Sequence, residues 1–125
     1  MKAMILAAGF GKRLLPLTEN LPKPMLKVGD QTLIERNINY LIKNGFSEII
    51  INVSHHGDLL IEHVNNIFPD HNILFSIEEK PLGTGGGVLN ALEMIEDEVF
   101  LVMNSDIFHN IKIMDFPKDI EAAHL

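Results

Sequence analysis

Gly9, Gly11, Lys12 and Arg13 follow directly on a short apolar run from Ala3 to Ala8, and that order of residue types suits an anion. Glycine leaves no side chain between backbone N–H groups and a ligand, and successive amides in a tight loop form a concavity of positive partial charge. Lys12 and Arg13 add full charges beside those amides. Further on, Lys23 stands between Pro22 and Pro24, which restrict the backbone on both sides of it. Together these groups fit a polyphosphate, and so point to nucleotide chemistry.

Other residues supply complementary chemistry. Asp106 closes an apolar run that continues through Asn104 and Ser105. A hard carboxylate there suits Mg²⁺ shared with phosphate oxygens. The stretch Pro81-Leu82-Gly83-Thr84-Gly85-Gly86-Gly87 opens a helical pattern, where glycines expose N–H groups and admit a flat base or sugar close to backbone. Glu78 just before it is an acceptor-only group, suited to the N–H of uracil or the adjacent donors of guanine. Asn52, at the end of another apolar run, is expected to touch the nucleotide. His55, His56, Glu62 and His63 have no H-E-x-x-H spacing, and read as a loop pair followed by a helix-surface histidine. The glycine loop is not a dinucleotide fingerprint, because Leu14 replaces the third glycine, and it lacks the Gly-Lys-Ser/Thr ending of a P-loop.

The elements that must position these groups are legible in the apolar pattern. Four runs rich in β-branched residues occupy 3–6, 48–53, 73–77 and 99–103. Their near-continuous apolar character predicts strands buried on both faces of a parallel sheet. Helical stripes fall between them: Leu33, Ile34, Ile38, Leu41 and Ile42, ended by Gly45; Leu60, Val64 and Ile67, ended near Pro69; and Val88, Leu89, Leu92 and Ile95. The alternation predicts right-handed βαβ crossovers in a Rossmann-like, doubly wound, three-layer α/β fold with strand order 3-2-1-4. Ligands bind such sheets at the strands' carboxyl ends, beside the point where the order reverses. That places the loop after the first strand opposite Asp106.

Charge is distributed to match. The chain of 125 residues has a net charge of −7, yet residues 1–27 hold five basic side chains against Glu19 alone. An acidic chain with one cationic patch suits a small anionic ligand and argues against broad nucleic-acid binding. Lys2 and Lys27 read as surface decoration. Cysteine is absent, which excludes disulfides and thiolate metal sites. No run has the length of a membrane span, so the expectation is a cytoplasmic protein without membrane or nucleic-acid partners. The pattern weakens over 107–125, and a doubly wound sheet ending there looks like the first half of a larger enzyme. Such a sheet leaves an exposed edge or apolar face, which predicts self-association or a complementing chain.

The residues Leu6-Ala7-Ala8-Gly9-x-Gly11-x-Arg13, Pro16-Leu17-Thr18 and Pro22-Lys23-Pro24, followed by Pro81-Leu82-Gly83-Thr84-Gly85-Gly86 and Asn104-Ser105-Asp106, resemble the motifs of sugar-1-phosphate nucleotidyltransferases in order. Thr84-Gly85-Gly86-Gly87 is most similar to the N-acetylmuramate-1-phosphate uridylyltransferase branch, with mannose-1-phosphate guanylyltransferases close behind. The resemblance implies that an NTP (UTP or GTP) and a sugar 1-phosphate give an NDP-sugar and pyrophosphate, with Mg²⁺ as cofactor. It implies that Arg13, Lys23 and Asp106 are catalytic and that Asp106 binds the metal. Leu6, Ala7, Ala8, Gly9, Gly11, Asn52, Glu78, Pro81, Gly83 and Thr84 would contact the nucleotide. Ser105 stands where the family commonly has glycine, and Lys12 where Thr or Glu is frequent. Family members are usually longer, their further part supplying a second metal-binding aspartate and much of the sugar pocket. The resemblance favours UTP with N-acetylmuramate 1-phosphate; the alternatives are a mannose-1-phosphate guanylyltransferase or a nucleotide-binding fragment without turnover.

Overall fold

Residues 1–9, 20–80, 82–96 and 99–105 are described by a computed structural model of the chain. Strand β1 (Lys2–Leu6) comes first, then a 3₁₀ turn over Lys23–Met25 and a small hairpin, β2 (Lys27–Val28) with β3 (Gln31–Thr32). Helix α1 (Leu33–Lys43), β4 (Glu48–Val53), α2 (Gly57–Ile67), β5 (Ile73–Ile77), α3 (Gly83–Ile95) and β6 (Phe100–Asn104) follow. The four long strands form one parallel sheet in the order β5-β4-β1-β6, which is the expected 3-2-1-4. The last strand ends one residue later than the sequence suggests, so Asn104 pairs in register with Leu6.

The period-2 alternation of strands divides the sheet into two unlike faces. Ala3, Ile5, Ile49, Ile51 and Val53 turn to one face, where Ile34, Ile38 and Leu41 of α1 and Leu60 and Val64 of α2 cover them. Met4 and Ile50 turn to the other, under Ala91 and Ile95 of α3. Lys2 and Glu48 are register partners at the amino ends of β1 and β4, and their side chains pair at 3.5 Å.

Local chemistry explains the element ends. The Thr32 hydroxyl accepts from the Glu35 N–H at 3.3 Å and caps α1. At the other end, the Gly45 N–H donates to the Ile42 carbonyl and the Phe46 N–H to the Leu41 carbonyl, a reciprocal pair that closes the helix. The hairpin does not stand out in the apolar pattern, yet its two-residue Gly29-Asp30 turn is the signal that marks one.

Two expectations change. The apolar stripe of α3 was expected at Val88, Leu89, Leu92 and Ile95, but the helix buries Gly87, Ala91 and Ile95, while Leu89 is 70% exposed and Leu92 42%. Small residues at 87 and 91 let the helix lie close over Met4 and Ile50, and that contact turns the larger leucines outward. The runs at 73–77 and 99–103 were expected to be buried on both faces. They are the two edges of the sheet, and Leu74, Ile77 and Val102 are exposed. The interior strands β1 and β4 supply the fully buried strand residues of both clusters, while the edge strands contribute partly buried ones.

This packing sets expectations for stability. Ile34→Ala, at a fully buried position, is expected to lower the unfolding free energy by about 2–5 kcal/mol. Ala91→Leu overfills the α3 contact and should cost about 1–3 kcal/mol. Leu89→Gln should change stability by less than about 0.5 kcal/mol. Urea denaturation of the three variants checks the orientation of α3, since a helix rotated onto its leucines would reverse the last two results.

Candidate functional site

The carboxyl ends of β1, β4 and β5 meet through one buried side chain. Asn52 lies one residue before the end of β4, directly opposite Leu6 of β1 and Ser76 of β5 in the ladder. It faces the α3 side of the sheet and is 3% exposed. Its Oδ1 accepts from the Ala7 N–H at 2.6 Å, and its Nδ2 donates to Glu78 Oε2 at 2.7 Å. The other carboxylate oxygen, Oε1, accepts from the Leu82 N–H at 2.9 Å. The Glu78 N–H in turn donates to the Val53 carbonyl at 2.8 Å. A chain of hydrogen bonds thus runs from the end of β1, through β4, to the start of α3.

Glu78 is therefore not a solvated surface acid. It is 4% exposed, and each oxygen receives a donor from this chain. A buried carboxylate is stable only when so satisfied. A carboxylate has about four lone-pair sites, so two internal hydrogen bonds do not exhaust it.

Two of the glycines opening α3 have specific reasons. Gly83 has φ +74, a left-handed backbone that residues with a Cβ rarely adopt. Gly87 packs against the Asn52–Glu78 pair: a Cβ there would lie 2.6 Å from Asn52 Nδ2 and 3.2 Å from Glu78 Oε2. Ser76 also points to this side, its hydroxyl bonded to Asn90 Nδ2 at 3.0 Å.

A second buried contact holds β1 from its other flank. The Ser105 N–H donates to the Leu6 carbonyl at 3.1 Å, and the Ser105 carbonyl accepts from Asn37 Nδ2 of α1 at 2.7 Å. Asn37 and Ser105 are both buried. Sequence reasoning missed Asn37, although the signal is there: it occupies the buried stripe of α1 between Ile34 and Ile38.

The structure brings Ala7, Asn52, Glu78, Gly83 and Gly87 to one end of the sheet. Leu6 is half-buried, Ala7 and Ala8 are buried, and Gly9 is exposed with open space where a Cβ would stand. Thr84 is exposed in the first turn of α3. Lys23 belongs to a separate element, the half-buried 3₁₀ turn against which α1 packs. Gly11, Lys12, Arg13, Pro81 and Asp106 lie outside the described residues. Among the described residues, no group of three or more His, Asp or Glu side chains is placed to hold a metal ion. His63 is not a plain surface residue: its Nε2 lies 3.0 Å from Thr32 Oγ1 and 3.3 Å from Glu35 Oε1, because α2 sits beside the capped end of α1.

Comparison with known proteins bears on the family and the fold. The model of the nucleotidyl transferase family matches residues 2–124. D-glycero-α-D-manno-heptose 1-phosphate guanylyltransferase of Campylobacter jejuni is 36% identical over 90% of this chain and 51% of its own length. Mannose-1-phosphate guanyltransferase of Schizosaccharomyces pombe is 35% identical over 99% of this chain and 34% of its own. The crystal structure of HddC from Yersinia pseudotuberculosis complexed with GMP-PN superposes with a TM-score of 0.75 at 37% identity, covering 84% of this chain and 47% of that one. UDP-glucose pyrophosphorylase from Acinetobacter baumanii shares the fold, with a TM-score of 0.73 at 23% identity over 84% of this chain and 45% of that one. The chain spans about half the length of the heptose relative and about a third of the mannose one. With its motifs in order, its parallel sheet in the 3-2-1-4 arrangement and a family match over nearly every residue, this chain belongs to the nucleotidyl transferase family.

Proposed function

We propose that this chain forms the nucleotide-binding part of a sugar-1-phosphate nucleotidyltransferase. The observation that carries the reading is the convergence of Ala7, Asn52, Glu78 and the glycine-opened start of α3 at the carboxyl ends of β1, β4 and β5. That is where a doubly wound sheet takes its ligand. The reaction joins an NTP and a sugar 1-phosphate. An oxygen of the sugar phosphate attacks the α-phosphorus in line, the bond from that phosphorus to the bridging β-phosphate oxygen breaks, and pyrophosphate leaves.

In this reading the backbone from Leu6 through Gly11 cradles the nucleotide, and Arg13 holds the β- and γ-phosphates. Lys23 neutralises charge growing around the α-phosphate and the attacking phosphate. Asp106 binds Mg²⁺, which neutralises phosphate charge when bound. Pro81, Gly83 and Thr84 line the base, and the unused lone pairs of Glu78 accept from its N–H groups. Such a transfer depends on positioning and electrostatics more than on acid–base groups.

Guanine is the base favoured by the Campylobacter jejuni and Schizosaccharomyces pombe relatives, whose names are those of guanylyltransferases. Their sugars share the manno configuration, so mannose 1-phosphate or a manno-heptose 1-phosphate is the acceptor class proposed here. UTP with N-acetylmuramate 1-phosphate is the second reading, kept by the Thr84-Gly85-Gly86-Gly87 sequence. The outward leucines of α3 and the exposed apolar residues of the sheet edges, together with the greater length of the relatives, support a further chain or a second copy against this side. None of the helices in the described residues is long and apolar enough to cross a membrane.

Pyrophosphate release tests the reading directly. With Mg²⁺, GTP or UTP, and a panel of sugar 1-phosphates, release should require both substrates. It should fall by about a hundredfold or more in Lys23→Ala and in Asp106→Ala. Calorimetric NTP binding should weaken strongly in Arg13→Ala. Binding without release would identify a nucleotide-binding fragment, and the absence of both would overturn the nucleotide reading.

A further inference from the structure

The Asn52 side chain does more than occupy the end of β4. The C=O of Leu6 and the N–H of Ala7 belong to one peptide unit. Ser105 holds the first at 3.1 Å and Asn52 the second at 2.6 Å. That unit is the one at which β1 ends, two residues before Gly9, so its orientation sets the direction in which the chain leaves the strand. The same amide holds Glu78 at 2.7 Å, and Glu78 holds the Leu82 N–H beside Gly83. Asn52 is nearly inaccessible, and both its polar atoms are engaged inside the chain. Direct contact with a ligand, expected from the sequence, is a poorer account of it than service behind the ligand. An amide meets both demands, since its oxygen accepts from a peptide N–H while its NH₂ donates to a carboxylate.

We propose that Asn52 is the positioning residue of the nucleotide pocket. It locks the peptide that launches the phosphate loop and the carboxylate beside the base into one rigid unit, and Gly87 is a glycine because that unit leaves no room for a Cβ. The proposal rests on the nucleotidyltransferase reading above. A group acting through others in this way should be sensitive to charge and geometry at its own position, while the ligand's contacts stay intact.

Replacing Asn52 by aspartate is nearly isosteric and keeps the acceptor for Ala7, but it sets two carboxylates face to face. Two carboxylates sharing a site cannot both ionise cheaply, so the pair takes up a proton as pH falls. The reciprocal double variant, Asn52→Asp with Glu78→Gln, keeps all three hydrogen bonds. The carboxylate now at position 52 accepts from the Ala7 N–H and from the amide now at position 78, whose oxygen accepts from the Leu82 N–H. Calorimetric affinity for GTP and UTP would be measured relative to the unaltered chain at each pH. In Asn52→Asp it should fall by about tenfold or more near pH 8, and most of the loss should be recovered near pH 5.5. The double variant should bind GTP and UTP more tightly than Asn52→Asp near pH 8, with no comparable gain on going to pH 5.5.

Asn52→Asp binding within about twofold of the unaltered chain throughout, or a double variant that does not fold or binds no better than the single, would overturn the proposal. Should the single variant fail to fold, the double variant alone decides. An unaltered chain that binds neither GTP nor UTP would sink the nucleotidyltransferase reading itself, which is a distinct result.

Discussion

The peptide unit between Leu6 and Ala7 is the constraint on which the site depends. Its oxygen and its N–H are both buried among protein groups, where an unmet hydrogen bond costs about 1–3 kcal/mol. The Ser105 N–H satisfies one and the Asn52 amide the other. Each of these partners is itself held: Ser105 by Asn37 of α1, and Asn52 by Glu78. A helix on one face and a carboxylate on the other therefore converge on one peptide plane. The chain leaves β1 from that plane, so Ala7 and Ala8, which lead to Gly9, begin from a fixed direction. Positioning before chemistry is what phosphoryl-type transfer demands of a protein.

The asymmetry of the two sheet faces follows from the same need. The face under α1 and α2 is apolar along the whole length of β4, where Ile49, Ile51 and Val53 are all buried in one cluster. The face under α3 is apolar at Met4, Leu6 and Ile50, and carries polar groups at Asn52, Ser76 and Glu78. One face supplies stability and the other carries the hydrogen-bonded unit. The polar end is compatible with burial only because its groups satisfy one another. The small residues Gly87 and Ala91 let α3 approach closely enough to seal it, and the cost is a helix whose leucines face away from this core.

Much of this was legible in the sequence because it is written in periodicity. The four strands, the three helices and the strand order follow from apolar runs alternating with 3.6-residue stripes, and β1 and β4 are buried as that pattern requires. Reading failed where tertiary contact decides between equivalent faces. On α3, leucine hydrophobicity outvoted Gly87 and Ala91, yet close approach to the sheet selects small side chains. On the edges, apolar character alone did not distinguish a fully buried interior strand from a partly exposed edge strand. The Gly29-Asp30 hairpin was too short to stand out from the prolines and lysines around it.

The site was legible as a set of residue types and illegible as a set of roles. Residue type alone marks Glu78 as an acceptor suited to a base, but it does not show that both its oxygens are also bonded inside the chain. Asn52 was expected against the nucleotide, and Asn37 was not noticed at all. Both are asparagines standing where the apolar pattern calls for a hydrophobic residue, one at the end of a buried strand and one in the stripe of a helix. Burying an amide costs free energy unless its donor and acceptor are both met, so an asparagine in such a place marks backbone that needs holding. Here the two hold, directly or through Ser105, opposite ends of the same peptide. A polar residue that interrupts an apolar period is thus a sharper pointer to a site's framework than the motif that contacts the ligand. The motif names the chemistry, and the interruption shows which peptide the fold must keep still.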